Sequence, residues 1–155
     1  MVIDVGTGNT VLRGLSMPHS PRIHDGSLWL LDSGQGYFGR GNVETGQFER
    51  LVFCPGYLRG LSFHNHFAIV GLSQPRENGT FLGLPLEEAL RRRNAIPQCA
   101  LMVIDLKKNA IVHWLKIGGP VHELYDVVCM PGTTRPKAIG LRTDEICRII
   151  SIEGQ

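Results

Sequence analysis

His24-Asp25-Gly26-Ser27-Leu28-Trp29-Leu30-Leu31-Asp32-Ser33-Gly34 reads as one β-strand with a turn at each end. Asp-Gly is a strong hairpin signal, because both residues tolerate the positive φ that a two-residue turn needs. Four apolar residues follow, and Ser33-Gly-Gln-Gly36 then turns the chain into a second run, Tyr37 to Val43. Glu44-Thr-Gly46 turns it again into Phe48 to Phe53, and Cys54-Pro-Gly56 closes the unit. Short apolar runs punctuated in this way describe an antiparallel meander.

The next unit follows the same plan. Phe67 to Leu72 and Leu101 to Leu106 read as strands, and Lys107-Lys-Asn109 turns the chain into Ile111 to Ile117. Tyr125 to Met130 starts a third unit, with Lys137 to Leu141 and Arg148 to Ile152 as its further strands. Two internal registers compete. Leu-Arg-Gly-Leu-Ser recurs at 12–16 and 58–62, but that offset then places Asp25-Gly26 on Gly71-Leu72, inside a strand. An offset of 40 pairs Ile23-His24-Asp25 with Phe63-His64-Asn65, Leu28-Trp29-Leu30 with Ala68-Ile69-Val70, and Ser33 with Ser73. A second echo joins Ile3-Asp4, Asn42-Val43 and Ile104-Asp105, each followed by a Gly or Asn hairpin. The expected fold is therefore all-β: a β-propeller-like meander of about three four-stranded blades in one domain, 1–155.

Residues 74–98 break the pattern as an insertion after a blade's second strand. Its centre, Pro85 to Arg93, has helix signals: Pro at the first position, Glu87 and Glu88 in the first turn, three Arg in the last. Leu86 and Leu90, four apart, would pack on a blade.

Composition fits one globular domain, with 43% hydrophobic and 19% charged residues. The 19 Gly and 9 Pro suit many short strands. A net charge of +2 is too small for nucleic-acid binding. Cys54, Cys99, Cys129 and Cys147 form no CxxC pair and read as reduced, buried residues. No export signal or membrane-length apolar run is present, so a cytoplasmic protein without membrane partners is expected.

Several segments carry a family resemblance. Gly14-Leu-Ser-Met-Pro-His-Ser-Pro-Arg22, Phe53-Cys-Pro-Gly56, Arg59-Gly60-Leu61, Val70-Gly-Leu-Ser-Gln-Pro-Arg-Glu-Asn78 and Glu123-Leu-Tyr-Asp126 resemble an uncharacterised bacterial family of conserved hypothetical proteins. Its members are often about twice this long, and the chain resembles their C-terminal half. The family has no established activity, so the resemblance implies no mechanism. More distantly, the stretch from His24 to Gly34 followed by Glu44-Thr-Gly46 looks like the strand-turn-strand pattern of gluconolactonase-like six-bladed propellers.

In such an architecture the first strands line a central channel, and loops at one end collect function. The 40-residue register places His19, Arg59 and, more loosely, His122 and Glu123 at its mouth. Arg22, Arg76, Glu77 and Asp126 complete the candidate ligand set, and the loops after the second strands add Asp32 to that face. His19 and Glu123 are the candidate ligands of a divalent metal cofactor. His19 reads equally as a histidine bonded to a turn backbone, and Arg76 and Arg59 as clamps for an anion or as loop pins. No GxSxG elbow, phosphate loop or dinucleotide fingerprint is present. The leading expectation is a ligand- or protein-binding module; the alternative is a metal-dependent lactonase- or lyase-like enzyme, and a structural or assembly role comes third. Three blades cannot close a ring, so the chain is expected either to dimerise into six blades or to form part of a longer protein.

Overall fold

The computed structural model describes residues 1–75, 81, 83–134 and 144. It is an all-β fold. Strands β1 (Val2–Ile3) and β2 (Thr10–Leu12) form a hairpin. Strands β3 (Pro18–His24), β4 (Ser27–Asp32), β5 (Tyr37–Asn42) and β6 (Gln47–Phe53) make a four-stranded antiparallel sheet in chain order. A second such sheet follows from β7 (Tyr57–His64), β8 (Phe67–Ser73), β9 (Ala100–Asp105) and β10 (Ala110–Lys116).

Both sheets are built to one register. His24, Ile23 and Arg22 of β3 face Ser27, Leu28 and Trp29, while His64, Phe63 and Ser62 of β7 face Phe67, Ala68 and Ile69. Each pair lies 40 residues from its counterpart. Asp25 and Asn65 take the left-handed conformation in the two hairpins, with φ of 47° and 52°. Ser20 and Gly60 do so within the strands, where both ladders are interrupted by a bulge. The three hairpins that close β1–β2, β5–β6 and β9–β10 also share a hydrogen-bond plan. Asp4, Asn42 and Asp105 each accept, through Oδ1, the backbone N–H groups two and three residues on, at 2.8–3.2 Å.

Packing explains why β4 is a continuous apolar run rather than an alternating one. Leu28 and Leu30 point to one side and join Leu12 of the hairpin, with Val2, Leu15 and Phe48 against them. Trp29 and Leu31 point to the other side and join Phe38, Val52 and Cys54 over Leu58, Leu61, Val70, Leu72, Met102 and Ile104 of the second sheet. The first sheet is therefore sandwiched between two layers, and a strand buried on both faces needs apolar residues at every position. Burying each of these Leu side chains contributes about 1.5–3 kcal/mol.

The insertion forms helix α1, Pro85–Arg92, one residue shorter than the sequence suggests because Arg93 is its C-cap. Pro85 starts it, Glu87 and Glu88 occupy the first turn, and Leu86 and Leu90 are buried. The helix leaves from the second sheet but docks on the first: the Leu86 N–H donates to Gly34 O at 2.8 Å, and the Arg93 guanidinium stands 4.2 Å over the Phe53 ring. Arg93 also donates to the Tyr37 hydroxyl. Cys54 and Cys99 are buried free thiols and Cys129 is half-buried; burial pushes the Cys54 thiol up to about 12.

The third unit differs from the sequence reading. Tyr125 to Met130 joins no ladder, and Lys137 to Leu141 and Arg148 to Ile152 lie outside the described residues, as does Cys147. The segment instead lies across β7 and β8, held by side-chain bonds from Leu124 N–H to Ser73 Oγ and from Cys129 N–H to Ser62 Oγ, 2.9 and 3.0 Å. It sits so close that a Cβ on Gly60 would fall 2.4 Å from Val127 N. With φ of +79° as well, Gly60→Ala should cost at least about 2 kcal/mol, measured by chemical denaturation. Stability equal to the parent protein would show that this segment is not seated on β7.

Candidate functional site

The left-handed residues in the two first strands decide what their neighbours do. Each lets the strand kink at its start, and the kinks meet: Gly60 N–H donates to Ser20 Oγ at 3.2 Å. One residue earlier in each strand stand His19 and Arg59. The residue that joins them is Tyr57, at the start of β7, whose hydroxyl lies 3.0 Å from His19 Nε2 with the rings edge to face. The Arg59 guanidinium lies 5.9 Å from the Tyr57 ring centre and 5.0 Å from that of Tyr125. Both distances fall in the cation–π range.

Electrostatics follow from this packing. Burial, and then the Arg59 charge, hold the His19 imidazole below its ordinary value, so the neutral ring is favoured. Burial pushes the Tyr57 phenol up, against the opposing pull of Arg59. The cluster thus presents a neutral imidazole, a neutral phenol and a guanidinium. No carboxylate pairs with Arg59 among the described residues.

The other sequence-derived candidates are distributed as follows. Arg22 is 3.6 Å from Asp126, an exposed ion pair that bridges β3 to the segment after β10. Asp126 also accepts the Val127 N–H. His122 Nδ1 lies 3.0 Å from Gln74 Oε1, and its backbone C=O accepts the Gln74 N–H. Glu123 is half-buried beside it. Arg76 and Glu77 lie outside the described residues. Among the described residues no three His, Cys, Asp or Glu side chains converge as the ligands of a metal ion would, and His19 faces Tyr57 and Arg59 rather than a carboxylate.

The register of the third position needs one correction. Ser33 Oγ donates to Leu58 O at 2.7 Å, and Ser73 Oγ lies 3.3 Å from Leu124 O. Leu124 therefore stands where Leu58 does, and the residue matching Arg59 is Tyr125 rather than His122 or Glu123. Two side chains of the cluster, Tyr57 and Tyr125, escaped the sequence reading. Their signal was an aromatic residue at matching places, one after Pro55-Gly56 at the start of β7 and one before Asp126 in the segment after β10.

Stacked antiparallel sheets with a histidine–tyrosine–arginine cluster at the strand entries define an all-β protein with a polar, partly aromatic site on a rigid frame. Residues 1–139 match the family described as Domain of unknown function (DUF4915), and the chain belongs to that family. No curated protein and no solved structure matches the chain, so no comparison ties it to gluconolactonase-like propellers. Among the described residues no helix is long and apolar enough to cross a membrane.

The lowered His19 value sets a pH dependence. Below the ordinary value of 6.5 the unfolded chain takes up a proton that the folded imidazole resists, so folded stability falls as pH drops from 6.5 toward the lowered value. Above 6.5 the contribution is level. His19→Gln, whose amide can still meet the Tyr57 hydroxyl, should flatten that part of the curve relative to the parent protein in denaturation series between pH 4 and 8. Curves of identical slope would show that His19 titrates as in the unfolded chain.

Proposed function

We propose that the chain is a non-catalytic binding module of propeller-like architecture that holds an anionic group at the channel-side cluster of His19, Tyr57, Arg59 and Tyr125. The observation that carries this reading is Arg59, flanked by two tyrosine rings with no carboxylate partner among the described residues. Contact with the rings uses no N–H donor, which leaves the N–H groups for a carboxylate or phosphate, anions that guanidinium recognises in bidentate form. Neutral His19 and Tyr57 supply further hydrogen bonds without competing charge. The ligand is a small molecule or a protein side chain or terminus bearing such an anion. A thermal-shift screen of small carboxylic and phosphorylated acids, followed by calorimetry, tests it. Arg59→Gln should weaken the strongest binder about 10- to 100-fold. Unchanged affinity would remove Arg59, and the reading with it.

The assembly belongs to the same proposal: two copies close a six-bladed ring. Supporting it, β10 is an outer strand of its sheet, and Trp114 and Leu115 on it are 69% and 61% exposed. Soluble proteins rarely leave such an edge bare. Light scattering across a dilution series should report a dimer at micromolar concentration. A well-behaved monomer throughout would overturn the ring.

A further inference from the structure

Asp32 ends β4, fully buried, at a place where the fold asks for no charge. Pro18↔Asp32 in the first sheet corresponds to Leu58↔Leu72 in the second, so the residue equivalent to Asp32 is the buried, apolar Leu72. The structural work shared by the two sheets is done one residue later, by Ser33 and Ser73. Asp32 has one local duty: its Oδ1 accepts the Ser16 N–H at 2.7 Å, pinning the connection from β2 to β3. An asparagine would do this equally well. The second oxygen, Oδ2, is the one buried side-chain oxygen or nitrogen without a partner among the described residues. An unsatisfied buried carboxylate oxygen is costly, and natural proteins keep such groups where they are used.

Asp32 forms part of the wall of a pocket of about 330 Å³ between the β2–β3 connection and the first sheet. That volume lies within the range of small-molecule sites. Arg13, Gln47 and Arg50 line it, with Leu15 and Phe48 as apolar wall. Arg13 and Arg50 pair with no carboxylate among the described residues; Arg50 donates to Gln35 and stands 5.4 Å over the Tyr37 ring. One wall thus offers a buried acceptor in need of a donor, and the others two cations in need of an anion. No residue of this pocket belongs to the His19–Arg59 cluster.

We propose that this pocket binds a small organic acid that carries a hydroxyl or ammonium group beside its carboxylate. The carboxylate meets Arg13 and Arg50, and Asp32, closed to solvent in the free protein, turns Oδ2 toward the pocket to accept from the hydroxyl or ammonium group. Burial pushes the Asp32 carboxyl up, against the bond from Ser16 and the Arg50 charge, so a donor arriving at Oδ2 stabilises the ionised form.

Calorimetry with L-malate, L-aspartate and succinate tests this on one four-carbon frame, with a hydroxyl, an ammonium group or neither. Malate or aspartate should bind at least tenfold more tightly than succinate, and which of the two leads identifies the donor. Asp32→Asn retains the acceptor for Ser16. It should bring the better ligand to within twofold of succinate while unfolding at the same or a higher temperature than the parent protein. Arg13→Gln, at an exposed side chain, should weaken all binders about tenfold, and it carries the test if Asp32→Asn folds poorly. Arg59→Gln should leave this binding unchanged, which separates it from the channel-side cluster. No binding of any of the three at millimolar concentration, equal affinity for succinate, or a preference that survives Asp32→Asn would each overturn the proposal.

Discussion

A serine hydroxyl at the end of a second strand reaches across to the backbone of the next first strand. Ser33 Oγ–H, fully buried, donates to Leu58 C=O at 2.7 Å, and Ser73 repeats the act toward Leu124. Apolar contact between sheets is non-directional and would tolerate sliding. A buried hydroxyl is not tolerant, because missing its carbonyl leaves two polar groups unsatisfied in a low-dielectric layer. This bond therefore fixes how far β7 stands along the first sheet, and much that matters follows from that setting.

With Leu58 fixed, Tyr57 is brought under His19, Gly60 against Ser20 Oγ, and Arg59 beside the cluster. The same device on Leu124 sets Tyr125 beside Arg59. The polar site is thus a by-product of sheet registration. His19, Tyr57 and Arg59 sit near strand starts and Tyr125 on the segment after β10, all placed by the serine hydrogen bonds, and that is how such a cluster acquires fixed geometry.

The parts of this arrangement that rest on local chemistry were legible. Asp25-Gly26 and Asn65 announce left-handed hairpins, the 40-residue spacing aligns the two sheets residue by residue, and Pro85, Glu87, Glu88 and the arginines delimit the helix nearly to the residue. His19 and Arg59 were found because the register alone puts them at matching positions. Tyr57 and Tyr125 were not, since an aromatic residue at a strand start looks like core until its neighbours are known. Tyr125 to Met130 has a strand-like composition, yet whether an apolar run enters a ladder depends on its pairing partner, which no local pattern encodes. Asp32 was read as one more polar loop residue. It is buried beneath the β2–β3 connection, whose Ser16 N–H it accepts from sixteen residues away, a long-range fact.

Helix α1 emerges between β8 and β9 yet rests on the turn after β4 and on Phe53. In a row of sheets where each touches only the next, stability is close to a sum of single layers and their interfaces, and an end layer can peel away by itself. A strap that originates in one layer and is anchored in another alters that arithmetic. Separating the second sheet from the first here means extracting Leu86 and Leu90 and breaking the Gly34 bond as well as parting the apolar faces. The two sheets are thereby bound into one cooperative unit, and the His19–Arg59 cluster, which spans their junction, is sheltered from the partial opening that would otherwise be its commonest mode of loss.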